Sequence, residues 1–117
     1  MDDLWRLDAH ELAAGVRTKL YSAREVVESV LNRIAEKNPE LNAITVEFPN
    51  EAMAAAEAAD GAVSAGQAIG PLHGVPVTIK ENIDVAGQAT PNGVPAFANL
   101  IATSDSPLVR NLRSAGA

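Results

Sequence analysis

The sequence contains no cysteine, which removes disulfides, thiolate metal ligands and a cysteine nucleophile together. Aromatic residues make up only 3% of the chain against 47% hydrophobic residues overall, so its core must be built from aliphatic side chains and alanine. Basic residues are few and dispersed: nine Lys and Arg stand against fifteen Asp and Glu, for a formal net charge of -6. With no cluster of positive charge, there is nothing to hold a phosphate backbone or an anionic membrane surface, and no nucleic-acid partner is expected. No run approaches the roughly 18 to 20 apolar residues that a membrane-spanning helix needs. The acidic start Met1-Asp2-Asp3-Leu4-Trp5 lacks the basic and apolar regions of a secretory signal, so a soluble cytoplasmic protein is the default expectation. At 117 residues the chain fits one small domain of limited core, and neither internal repeats nor a composition shift mark a second.

Familiar site motifs are also missing. His10 and His73 lie far apart without a ligand-spaced neighbour, so no metal is expected. The glycines around Gly70, Gly74 and Gly87 are not followed by the Gly-Lys-Ser/Thr helix start of a phosphate loop. None of the serines, Ser22, Ser29, Ser64, Ser104, Ser106 and Ser114, sits in a Gly-x-Ser-x-Gly frame. An activated serine needs a positioned base and donors for the oxyanion, and these six read as cap, helix or loop residues.

What is present begins with helix signals. Asp8 with Glu11 forms a capping box, and Leu7 with Leu12 a hydrophobic staple, opening a helix over about 8–20. Its apolar positions are Leu12, Val16 and Leu20, with Gly15 a mild weakness. Ser22 with Glu25, and Tyr21 with Val26, repeat the pattern for a helix over about 22–37, whose apolar face is Val26, Val27, Val30, Leu31 and Ile34. Asn38-Pro39 predicts its end. Leu41 to Val46 predicts a strand over about 41–46. Asn50 predicts the cap of an alanine-rich helix over about 50–65 that stops at Gly66. Residues 85–103 form a long connection rich in glycine and proline, of the length usually associated with function or mobility. Ser106 and Pro107 open a last helix over about 106–115, with Leu108, Leu112 and Ala115 at helical spacing.

The stretch Gly74 to Asp84 is the most informative. From Val75 to Lys80 the residues alternate, with Val75, Val77 and Ile79 on one face and Pro76, Thr78 and Lys80 on the other, which predicts a strand over about 75–80. Lys80 then stands where a strand gives way to a polar loop, a position where a rigid scaffold meets functional chain. By residue type alone a lysine beside Glu81 and Asp84 is a solvated or ion-paired surface group.

The string from Gly70 to Gly87, Gly70-Pro71-Leu72-His73-Gly74-Val75-Pro76-Val77-Thr78-Ile79-Lys80-Glu81-Asn82-Ile83-Asp84-Val85-Ala86-Gly87, resembles the start of the amidase signature family of serine hydrolases. The N-terminal pieces Leu7-Asp8-Ala9-His10-Glu11-Leu12 and Asn38-Pro39-Glu40-Leu41-Asn42-Ala43 resemble that family's helical region. The resemblance implies an α/β fold, of which this chain would supply N-terminal helices and strands of a larger mixed sheet. It also implies that Lys80 is the base of a Ser-(cis-Ser)-Lys triad acting on a small amide substrate through an acyl-serine, with no cofactor and no metal. To serve as base, Lys80 must be uncharged at rest, so Glu81 and Asp84 are expected to turn away from it. The family's Gly/Ser-rich nucleophile segment is not present, which makes the chain an incomplete, N-terminal part of such an enzyme. Where family members often carry Thr-Thr-x-Gly-Ser-Pro, this sequence has Thr90-Pro91-Asn92-Gly93-Val94-Pro95, with Val94 in place of the serine. Two alternatives stand beside this reading. One is a non-catalytic truncated or scaffold chain; the other, ranked lower, is the A subunit of a tRNA-dependent amidotransferase. An incomplete sheet would leave an exposed edge, through which self-association is expected.

Overall fold

The computed structural model describes residues 3–117. The chain divides into two compact units, Met1–Pro76 with Ala115–Ala117, and Val77–Ser114, at a point where the composition shows no boundary. Among the described residues there are four α-helices, two 3-10 turns and no strand beyond one isolated antiparallel bridge, Ala89 to Ile101.

The first unit is helical. A 3-10 turn, Leu4–Arg6, precedes α1 (Ala9–Arg17), α2 (Ala23–Leu41) and α3 (Pro49–Ser64). α1 starts at Asp8, whose N–H is accepted by the Glu11 carboxylate at 2.9 Å. It ends at Arg17 rather than near residue 20, and Leu20, lying past the helix, is 73% exposed. The four-residue spacing of Leu12, Val16 and Leu20 therefore overran the helix by one turn. α2 opens with the capping box foreseen: Ser22 Oγ accepts the Glu25 N–H at 3.0 Å, and Glu25 accepts the Ser22 N–H at 2.7 Å. Leu4, Leu12, Ala13, Val16, Tyr21, Ala23, Val26, Val27, Ala56 and Val75 make one continuous core. Aliphatic and small residues dominate it, as a chain so poor in aromatics requires. Gly74 approaches this core at φ +81, and a Cβ there would stand 2.9 Å from Ala23 Cβ, so both the backbone conformation and the space favour glycine.

The expected strand over 41–46 is absent, and the reason lies in Asn38. Pro39 does not end α2; the helix runs on to Leu41 and stops at Asn42, whose φ of 48 is left-handed. Proline this near a C-terminus removes one intrahelical bond without breaking the last turn. The Asn38 amide then donates to the Ile44 carbonyl at 2.8 Å and accepts the Ile44 N–H at 2.9 Å. With both backbone groups of Ile44 held by one side chain, the segment turns instead of pairing in a ladder. The cap of α3 stands two residues earlier than expected: Pro49 is the first helical residue and Phe48 the cap, so Asn50 lies inside the helix. Proline at the first helical position has no N–H to leave unpaired.

The strand expected over 75–80 is not formed either, because a strand is a property of a pair and no described segment pairs with it. Burial does not follow the alternation: Val75 is buried, but Val77 is 46% exposed. Residues 42–48 and 75–80 are thus irregular connections where the sequence predicted strands, and no sheet edge exists among the described residues.

The second unit is built on a closed loop and α4 (Pro107–Ser114). Residues 87–90 and 100–102 run side by side: Gly87 N–H to Ala102 O at 2.9 Å, Ala102 N–H to Gln88 O at 2.9 Å, and Thr90 N–H to Leu100 O at 3.0 Å. The long connection is therefore tied at its base, with the 3-10 turn Pro95–Phe97 at its far end. Ser106 Oγ accepts the Val109 N–H at 3.3 Å, the cap foreseen. The buried residue of α4 is Val109, whereas Leu108 is 48% exposed; the apolar face is rotated by one residue from the Leu108 register.

Candidate functional site

Lys80 opens the turn of the second unit: its carbonyl accepts the Ile83 N–H at 3.0 Å, and its side chain is exposed. The polar loop after it is tightly held. Asp84 Oδ1 accepts the Thr90 hydroxyl at 2.8 Å, and the Asp84 carbonyl accepts the Ser106 N–H at 2.9 Å. Asp105 accepts the Ala86 N–H through Oδ1 at 2.8 Å and pairs with Arg113 Nε through Oδ2 at 2.9 Å. Asp84 is thus committed to Thr90. The Glu81 carboxylate lies toward Gly93, its Oε1 3.6 Å from where a Cβ on that glycine would stand.

The turn that carries Val94 is formed by Asn92 and Gly93, both at positive φ (49 and 73), with the Val94 N–H donating to Pro91 O at 2.8 Å. Asn and Gly are the residues that tolerate this conformation, so the turn is closed by backbone and needs no side chain at position 94.

Among the remaining polar candidates, His73, Ser22, Ser29 and Ser106 have structural partners. His73 Nε2–H donates to the Ala59 carbonyl at 2.9 Å, which fixes its tautomer within the helical unit. His10 is exposed. Among the described residues no group of three His, Asp or Glu side chains could hold a metal ion, and no helix is long and apolar enough to cross a membrane. Ser22 and Ser106 serve as caps, and Ser29 Oγ accepts the Trp5 N–H at 3.2 Å. Sequence reasoning singled out Lys80 but missed Asp105; the only signal for it was an acidic residue just before the Ser106-Pro107 helix start.

With this geometry in view, the class is defined by comparison. The amidase family model matches residues 25–117, and the chain belongs to that family. It is 49% identical over 114 residues, 97% of the chain, to an indoleacetamide hydrolase of Bradyrhizobium diazoefficiens, and spans 22% of that protein. It is 42% identical to the A subunit of the glutamyl-tRNA(Gln) amidotransferase of Alkalilimnicola ehrlichii, covering 91% of this chain and 22% of that one. The solved structure of a bacterial aryl acylamidase of the amidase signature family superimposes with a TM-score of 0.88 at 27% identity, over 95% of this chain and 24% of that one. The chain thus spans about a quarter of the length of the relatives it matches.

Proposed function

We propose that the chain is the N-terminal portion of an amidase that hydrolyses a small carboxamide to a carboxylate and ammonia or an amine, through an acyl-serine, with Lys80 as general base. The observation that carries this reading is the family match across residues 25–117, which includes Lys80 within its Gly-Val-Pro-Val-Thr-Ile-Lys-Glu-Asn segment. The relatives include an indoleacetamide hydrolase and an acylamidase, both acting on amides by name, which supports the substrate class. The Lys80 side chain is exposed in this chain. To accept a proton it must be covered in the full-length enzyme, because burial is what favours the neutral form of a lysine.

The test uses the full-length enzyme. Lys80→Ala and Lys80→Arg are both expected to lower kcat/KM by about two to four orders of magnitude, with circular dichroism unchanged. A guanidinium stays protonated and cannot accept the proton. A Lys80→Arg enzyme as active as the parent shows that the lysine supplies charge alone, and the general-base assignment falls.

A second reading is favoured by the 42% identity to the A subunit of an amidotransferase, in which the chain would belong to a multi-subunit enzyme. Amide hydrolysis by the purified full-length protein without partner subunits decides between them.

A further inference from the structure

Lys80 lies on an exposed turn, yet a base must be held within a few tenths of an ångström of the atom it serves. What fixes the loop in which it stands is α4 and its lead-in. The Lys80 carbonyl closes a turn on Ile83 N–H at 3.0 Å, and the next two fixed points are the Asp84 carbonyl on Ser106 N–H at 2.9 Å and the Ala86 N–H on Asp105 Oδ1 at 2.8 Å. The other oxygen of Asp105 meets Arg113 Nε at 2.9 Å, across two turns of α4. The Asp105 side chain is only 16% exposed, whereas Arg113 is 61% exposed. A solvated ion pair by itself contributes little. Asp105 differs because one carboxylate binds the backbone of the loop and the helix simultaneously, so its position is set by α4 and the loop is set by it.

Resting on the reading of Lys80 as base, we infer that Asp105 is a positioning residue for Lys80, anchoring to α4 the loop that returns from the lysine. The contact that matters is the Ala86 N–H, so the acceptor oxygen is needed more than the charge. Thr90, on Asp84 Oδ1, braces the same leg from the closed loop and does not replace it.

In the full-length enzyme, kcat and KM are measured on the best carboxamide substrate and normalised to active sites titrated with a serine-acylating reagent. Asp105→Ala is expected to lower kcat per titrated site on the order of tenfold or more, since small misplacements cost that much, with KM within about twofold. Asp105→Asn keeps the acceptor for Ala86 and is expected within about threefold of the parent, because only the ion pair with Arg113 is lost. A residue that merely stabilised the fold would reduce the number of titrated sites and leave kcat per site unchanged. Parental kcat per site in Asp105→Ala, or an Asn variant as impaired as the Ala variant, overturns the inference. Should Asp105→Ala not fold, Asp105→Glu carries the test: its longer arm keeps the charge but displaces the acceptor, and parental kcat from it is the overturning result. Lys80→Ala is assayed in parallel. If it remains active, the base reading fails; if it is inactive while the Asp105 variants behave as the parent, only the positioning role fails.

Discussion

The phenol end of Tyr21 lies against Gly15, so close that a Cβ on residue 15 would overlap it, and the Tyr21 hydroxyl donates to the Glu11 carbonyl at 2.8 Å. Read as sequence, Gly15 is a weak point in α1; in the fold it is the space into which the next connection packs. Gly15→Ala is therefore expected to destabilise the chain by about 1 to 3 kcal/mol through overpacking, against the few tenths to 1 kcal/mol that alanine gains in an exposed helix. Urea denaturation followed by circular dichroism measures it. A variant more stable than the parent shows that the ring moves aside freely.

Asp60 of α3 accepts the N–H groups of Ala23 and Arg24, at 2.7 and 3.0 Å, where α2 begins. Together with Ser22 on Glu25 N–H at 3.0 Å, it satisfies the first three donors of the helix. Asp60→Ala is expected to cost about 1 to 2 kcal/mol, and Asp60→Asn, which keeps one acceptor, about half as much or less. Equal midpoints for Asp60→Ala and the parent would disprove the interhelical cap.

Stability should fall at both ends of the pH scale. Hydrogen bonds from the Ser22 N–H, then the Ser22 hydroxyl, hold Glu25 below the usual carboxylate range, and Lys37 followed by Arg33 does the same for Glu36. A carboxyl with a lower pKa folded than unfolded stabilises above its unfolded value, and that contribution is lost as pH falls through the folded one. Burial, and secondarily the charge of Glu11, push the Tyr21 phenol up. Its contribution is intact below the unfolded value and is lost as pH rises through the folded one. Urea midpoints are expected to decline below about pH 4 and above about pH 10. Glu25→Gln should flatten the acid limb and Tyr21→Phe the alkaline limb; limbs unchanged in both variants would contradict these assignments.

The chain by itself should self-associate. In the second unit Val77, Val94, Phe97, Leu100, Ile101 and Leu108 are between 39% and 58% exposed, a density of large apolar side chains that monomers seldom leave uncovered. With no sheet edge formed among the described residues, the driving surface is apolar and not a strand. Light scattering at rising concentration is expected to show growing mass together with binding of a hydrophobic dye. Leu100→Lys with Ile101→Lys should suppress both, and a clean monomer at high concentration in the parent would refute the expectation.

The sequence by itself determined the local starts and the family. The Ser22/Glu25 box, the cap of α4 at Ser106 and the Lys80 segment were legible because each depends on residues within a few positions of one another, where spacing and side-chain chemistry suffice. Tertiary structure decided the rest. Whether Val75 to Lys80 becomes a strand depends on a partner segment that alternation cannot supply, and Ile44 was withdrawn from pairing by the amide of Asn38. The role of Gly15 required knowing where Tyr21 lands, and that of Asp105 required α4 to lie beside Ala86. Each of these is a contact between groups that local spacing does not bring together, and only the folded chain does.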